Sequence, residues 1–256
     1  MARRLSFLVP DDVLDDTTEW LRKPRNWDDQ KGAGSSDKRL GRISFANSLV
    51  EAMDSGLVSG RKPLQDALEP LLDSQDTSGG WSVDAGNPLG LPATYGPVLA
   101  TALARRAMER SEDPRMAGAI RRATDYLLGA KVLSVMDASA IVLAFAGRSD
   151  SASRTKAAGQ ALDLILNAQS VKEGGWGPFP NLPTEIFDSA LAILALATVK
   201  DRPGVPERIR RGREYLIANQ LPDGGWIETT RPSGGRSYAE HISTCGWATL
   251  ALLQTR

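Results

Sequence analysis

Asp137 and Asp188 hold matching places in two apolar stretches, "SVMDASAIVLAF" (134–145) and "EIFDSALAILAL" (185–196). A carboxyl in such surroundings is penalised for ionising, so its pKa rises and it can donate a proton near neutral pH. Two carboxylates at equivalent positions can also hold magnesium through water, an oxygen-ligand site suited to a diphosphate. Aligning the related stretches places Tyr95 and Thr244 beside the two aspartates. Met136 and Phe187 directly precede the aspartates, and Glu185, Glu240 and His241 lie nearby in the alignment. An aspartate near a helix start is also an ordinary cap, so both a catalytic and a capping role stay open for the pair.

The elements that must position these residues follow from an internal repeat. A glutamine precedes Gly-Gly-Trp three times: Gln75 before Trp81, Gln169 before Trp176 and Gln220 before Trp226. Each glutamine closes a stretch of helical period, "PLLDSQ" (70–75), "LILNAQ" (164–169) and "YLIANQ" (215–220); a fourth relative, "YLLGAK" (126–131), has Lys131 instead and no Gly-Gly-Trp after it. Pro63, Pro114 and Pro206 stand near the starts of three such stretches, a favoured place for proline. After each turn comes a second helix rich in Ala and Leu: 95–108, 137–147, 188–199 and 243–253. Their apolar residues are not confined to one stripe, which predicts burial, whereas the preceding helices carry Arg121, Arg122, Arg210, Arg211 and Glu214 and face water. Residues 61–256 thus read as four helical hairpins, each an amphipathic outer helix, a turn and a buried inner helix. Residues 1–60 supply a degenerate fifth, "DDVLDDTTEWL" and "RISFANSLVEAM" (42–53), joined by a long polar loop. The whole of 1–256 is expected to form one all-α domain.

A glutamine at a helix end carries both donor and acceptor and can bridge helix termini. Glycine lets the chain reverse through positive φ, and tryptophan covers the turn with a large apolar ring. Gln75, Gln169, Gln220, Trp81, Trp176 and Trp226 are therefore read as structural staples. Lys and Arg total 31, as do Asp and Glu, which argues against a nucleic-acid backbone as partner. The single Cys245 excludes an internal disulfide, and the start "MARRLSFLVPDD" is too short in apolar residues for a leader or a membrane span. Both point to a cytoplasmic protein.

"REYLIANQLPDGGW" resembles the QW motif of squalene–hopene and other class II terpene cyclases, and "STCGWATLALL" is similar to the inner helix that follows it there. The resemblance covers roughly residues 60 to 256. It implies an α/α toroid, here an incomplete or five-hairpin ring, with inner helices around a central cavity for an isoprenoid or other apolar molecule. Tyr95, Met136, Asp137, Glu185, Phe187, Asp188, Glu240, His241 and Thr244 would then ring the cavity mouth. The family's Asp-x-Asp-Asp-Thr-Ala motif, whose middle aspartate is the proton donor, aligns with 134–145 and 185–196. Its last aspartate survives as Asp137 or Asp188, but Met136 and Phe187 occupy the donor's place, which puts standard class II protonation in doubt.

At the N-terminus, Asp11-Asp12-x-x-Asp15 resembles the diphosphate motif of class I synthases, and an acidic first helical turn accounts for it equally. The same toroid occurs in protein prenyltransferase β subunits, which bind zinc through Asp-x-Cys and a later histidine. Asp188, His241 and Cys245 are the trio that could copy that site, although Ala190 stands at the cysteine's place. Three functions remain. The first is a cyclase- or isomerase-like enzyme acting on or binding an isoprenoid, with no cofactor required and magnesium at the aspartates as an option. The second is a non-catalytic toroid that binds a partner or ligand. The third is a prenyltransferase-like enzyme or a polysaccharide lyase, the latter wanting arginines that the inner helices lack. Peripheral membrane contact and a protein partner are compatible with any of them.

Overall fold

The computed structural model describes residues 10–28, 38–83, 92–147, 151–231 and 235–256. The protein is all-α. Among the described residues the only β-type pairing is an isolated bridge between Trp176 and Glu185. The chain divides into two compact units, one comprising Met1–Asp84 and Ala100–Leu127, the other Ala85–Leu99 and Leu128–Arg256.

The first unit contains helices α1 (Asp11–Leu21), α2 (Arg25–Asp28), α3 (Lys38–Asp54) and α4 (Lys62–Asp73). It also holds most of α5 (Gly96–Ser111) and α6 (Ala117–Gly129). The expected loop between the first two helices is shorter than read from its composition. Arg25–Asp28 forms a turn of helix anchored by the buried Trp27, and α3 begins at Lys38, while 29–37 lies outside the described residues. The Arg42 guanidinium accounts for part of this, since it donates to both carboxylate oxygens of Asp28, at 2.6 and 3.1 Å. α4 buries Leu64, Ala67, Leu68 and Leu71 on one face against α3.

The second unit is built on α7 (Val135–Phe145), α8 (Ala152–Ala168), α9 (Ile186–Ala197), α10 (Val205–Ala218) and α11 (Tyr238–Gln254). α9 packs against α7, α10 and α11, which explains why its run of Ala, Leu and Ile is buried on every side. α10 carries Pro206 in its first turn after Gly204 in the left-handed conformation, and it buries only Val205, Ile209, Gly212 and Leu216. α11 departs from expectation. It starts five residues earlier than read, because Ser237 caps it, and it buries Glu240, Thr244, Ala248 and Ala251 while Tyr238 and Ile242 stay exposed. No described helix is long and apolar enough to cross a membrane.

Three turns share one set of bonds. The indole N–H of Trp81, Trp176 and Trp226 donates back to the outer helix at the carbonyl of Leu71, Ile165 and Leu216, at 2.9, 2.7 and 2.8 Å. The backbone N–H of the same tryptophans donates forward to the inner helix, to Thr101 Oγ1, Ser189 Oγ and Cys245 Sγ. Gln75, Gln169 and Gln220 donate through Nε2 to the carbonyls of Gly79, Gly174 and Gly224, tying off the end of the outer helix. The glycines are required: Gly79, Gly174 and Gly224 have φ of 90°, 81° and 87°.

This register corrects one alignment. Thr101, Ser189 and Cys245 are equivalent, so Ala100 rather than Tyr95 matches Asp188 and Thr244. Tyr95 lies just before α5, with φ of +62°.

Because Trp226 is 2% exposed and joins both helices of its hairpin, Trp226→Ala should cost about 3–5 kcal/mol. Chemical denaturation should show a lowered midpoint, and an unchanged midpoint would contradict a structural role for this ring.

Candidate functional site

Ser134, Glu185 and Ser237 are the N-cap residues of α7, α9 and α11. In α7 and α11 the third residue of the helix is engaged by the cap. Ser134 Oγ accepts from the Asp137 backbone N–H at 3.0 Å, and Ser237 Oγ accepts from that of Glu240 at 3.2 Å. The Glu240 carboxylate accepts the Ser237 hydroxyl at 3.1 Å. Asp137 thus completes a capping box, in which the acid reaches back to the backbone of the cap residue, while Glu240 holds its cap through the Ser237 hydroxyl. Burial raises the pKa of Asp137, and hydrogen bonds from Ser134 and Leu133 oppose the rise.

Asp188 is placed otherwise. Its cap position holds Glu185, whose side chain makes no capping bond, and its own side chain is fully buried. Asp188 Oδ2 is paired with the guanidinium of Arg231, and the same Arg231 nitrogen reaches Glu185 Oε2 at 2.8 Å. Arg231 Nε lies 3.2 Å from that Glu185 oxygen. Asp188 Oδ1 is buried and meets no hydrogen-bond partner among the described residues. Burial lifts this carboxyl to a pKa of about 7. The guanidinium pulls the other way, but it is shared with Glu185, whose own charge opposes ionisation of Asp188, so removal from water wins. Burial thus favours the neutral form of this acid far more than it would be favoured in water.

Arg231 belongs to the stretch that follows Trp226, and this stretch is laced to two inner helices. Thr229 Oγ1 accepts from the Phe187 N–H at 3.2 Å, and the Thr229 N–H donates to Thr244 Oγ1 at 3.2 Å. Thr244 is fully buried by that role. Arg231 was not legible as a site residue. It lies in a polar segment outside any helical period, 43 residues from Asp188, and no local pattern marks it.

The residue before Asp188 belongs to an aromatic group. Phe187 is fully buried and stacks on Tyr95 with ring centres 6.2 Å apart, and Trp247 meets Tyr95 edge-on at 5.8 Å. The Tyr95 hydroxyl accepts from Trp247 Nε1 at 3.2 Å and from Ser243 Oγ at 3.4 Å. These contacts hold Tyr95 in a backbone conformation that costs a non-glycine residue on the order of 1 kcal/mol or more. Trp247, like Arg231, escaped the sequence reading. Met136 is buried in the core of the unit.

The remaining residues fall into separate groups. Asp137 and Asp188 have different partners, Ser134 and Leu133 for the one, Arg231 and Glu185 for the other. His241 Nδ1 is 3.6 Å from Glu228 Oε2, and its Nε2 is 3.9 Å from Cys245 Sγ. Cys245 is occupied with the Trp226 backbone, and Asp188 with Arg231. Among the described residues no three His, Cys, Asp or Glu side chains are grouped so as to hold a metal ion, and Asp188, His241 and Cys245 are no exception. Asp12, Asp15 and Asp16 are exposed on α1.

No family model matches the chain. A drimenyl diphosphate synthase of Streptomyces showdoensis is 36% identical over 85 residues, 33% of this chain and 15% of that protein. Lanosterol synthase of Candida albicans is 30% identical over 103 residues, 38% of this chain and 14% of that enzyme. Lanosterol synthase erg7A of Aspergillus fumigatus is 33% identical over 72 residues, 27% of this chain and 10% of its own length. About a third of the chain is similar to terpene cyclases. The matched part spans about a seventh of the length of the first two relatives. A protein from Actinoplanes of solved structure aligns over 94% of this chain and 99% of its own at 15% identity, with a TM-score of 0.44.

The raised pKa of Asp188 sets a sign for stability against pH. A carboxyl whose folded pKa lies above its unfolded value stabilises the fold fully below about pH 4, and that contribution is lost as pH rises through about 7. Carboxylates with lowered pKa, such as Asp28 beside Arg42, act in the opposite sense. The difference between wild type and Asp188→Asn isolates the one group. The melting temperature of wild type minus that of the variant should fall between pH 4 and 7 and level off above. A difference constant across that range would show that Asp188 is ionised throughout.

Proposed function

We propose that this protein is a terpene cyclase-like enzyme that acts on, or binds, an isoprenoid or related apolar molecule, with Asp188 as its proton-delivering group. The observation that carries the reading is a fully buried carboxyl with a pKa of about 7, on the helix that also carries Phe187 of the Phe187–Tyr95–Trp247 aromatic group, in a chain with partial similarity to terpene cyclases. A neutral carboxyl in water-poor surroundings can protonate an alkene, and aromatic faces can stabilise the cation that results. Glu185 and Arg231 would set the protonation of Asp188 by sharing charge with it. Asp137, a half-buried capping acid with a raised pKa, would be the auxiliary group, with or without magnesium. The fold we propose for this activity is a single α/α toroid of five hairpins whose inner-helix N-termini face the substrate, in a cytoplasmic protein free to touch a membrane surface.

A second reading, a non-catalytic scaffold, draws on the ion pair itself. Asp188 is locked to Arg231, and Phe187 is wholly buried, as residues that only hold a fold together would be.

The two readings part in one assay. Wild type, Asp137→Asn and Asp188→Asn would be incubated with farnesyl diphosphate, geranylgeranyl diphosphate and squalene, with and without magnesium, and products analysed by mass spectrometry. The enzyme reading expects product from wild type and a loss of roughly 10²–10⁴-fold in Asp188→Asn with the fold intact. No product from wild type on any substrate would favour the scaffold.

A further inference from the structure

The turns at Gln75 and Gln169 are covered by the next outer helix, in the same way each time. Gln75 Nε2 donates to the Ala119 carbonyl of α6 at 3.0 Å, and Gln169 Nε2 donates to the Arg208 carbonyl of α10 at 2.9 Å. Three residues further along each helix is an arginine, Arg122 or Arg211, whose backbone lies so close to Gly79 or Gly174 that no side chain would fit. For Gly174 an added Cβ would be 2.8 Å from the Arg211 carbonyl oxygen. Four residues on is a tyrosine whose ring covers the second glycine. A Cβ at Gly80 would be 2.9 Å from Tyr126, and one at Gly175 would be 2.7 Å from Tyr215. The arginine head groups return to the turn as well, Arg122 to Gln75 Oε1 and Arg211 to the Ser170 carbonyl at 3.0 Å.

The key fits only where there is a lock. Arg-x-x-x-Tyr occurs twice in the 256 residues, at 122–126 and 211–215, both on helices that follow a Gln…Gly-Gly-Trp turn. α8 follows the stretch with Lys131 in place of glutamine, and it carries Gln160 and Leu164 at the two positions.

The third turn has the lock and, among the described residues, no key. Nothing lies within 4 Å of a Cβ built on Gly224, and a Cβ on Gly225 meets only Asp223 and Cys245 of its own hairpin. Gln220 makes its bond to Gly224 and no bond to another helix, and it is exposed where Gln169 is buried. Ile217 is 54% exposed, whereas its counterparts Leu72 and Leu166 are half-buried.

We propose that the face formed by Ile217, Gln220, Gly224 and Gly225 is a docking site for an α-helix, from outside the described residues, that presents an arginine four residues before a tyrosine. The two occupied turns define what it recognises: a helix backbone close against the first glycine, a tyrosine ring over the second, and a carbonyl for the glutamine amide. A second copy of this chain does not qualify, because both of its matching helices already cover turns of their own.

The test uses the full chain and a helix-stabilised peptide of residues 204–219, which copies α10. Fluorescence anisotropy should show saturable binding. Changing Arg211→Ala and Tyr215→Ala together in the peptide should weaken it roughly tenfold or more, as losing such contacts at a small interface would. In the protein, Gly225→Ala should do the same, since the added methyl occupies the place of the ring; its nearest neighbour is Asp223 Oδ1 at 3.3 Å, so the turn itself needs only a small shift. Absence of saturable binding, or binding that survives either the peptide changes or Gly225→Ala, would overturn the proposal. The peptide variants keep the test decisive should Gly225→Ala lower the stability of the protein.

Discussion

The structure depends on the way a buried tryptophan ties two helices to one turn. Its indole N–H satisfies a carbonyl near the end of the outer helix, and its backbone N–H is received by a side chain on the inner helix. A helix leaves its last carbonyls unpaired, and a buried unpaired carbonyl is expensive, so these bonds decide where each outer helix stops. The glutamine closes the turn on itself. Without this arrangement the inner helices would have no defined start relative to the outer ones, and the groups at those starts would have no fixed neighbours.

Those starts are where the carboxylates gather, and the structure sorts them into different work. Asp137 and Glu240 are third residues of capped helices, where an acid bonds the cap residue and complements the helix dipole. Asp188 occupies the same place on its helix, yet its cap is Glu185, which leaves it free of that duty. Burial then acts on it without the compensating amide bonds that hold Asp137 down. The stretch after Trp226 supplies the counter-charge, and it reaches Asp188 because Thr229 is bonded to both Phe187 and Thr244. The hairpin turn and the acid are therefore coupled: what fixes the tryptophan also brings Arg231 to the carboxyl.

The three turns are alike in their internal bonds and unlike in what covers them. In the first two, the glycines are buried under a helix; in the third Gly224 is exposed and Gly225 half-buried, with no other helix over them among the described residues. At Gly225, where φ is not positive, the nearest contact of an added Cβ is Asp223 Oδ1 of its own hairpin at 3.3 Å, and no other helix lies over it among the described residues.

By itself the sequence determined the helical class, the places where helices end and the positions of the turns, because period, glycine, proline and capping residues act over a few neighbours in the chain. It also marked Asp137 and Asp188 as a pair, since alignment of repeats is enough for that. Local composition misjudged the segment around Trp27, where a buried ring holds a helical turn in a polar stretch, and the start of α11, which Ser237 sets. It gave a difference between the two aspartates only in the residue three places before each, Ser134 or Glu185, and nothing of what surrounds Asp188. Only the tertiary structure decided that one is a cap and the other a buried acid against Arg231, because desolvation and a partner 43 residues away are properties of the packed chain and not of any stretch of it.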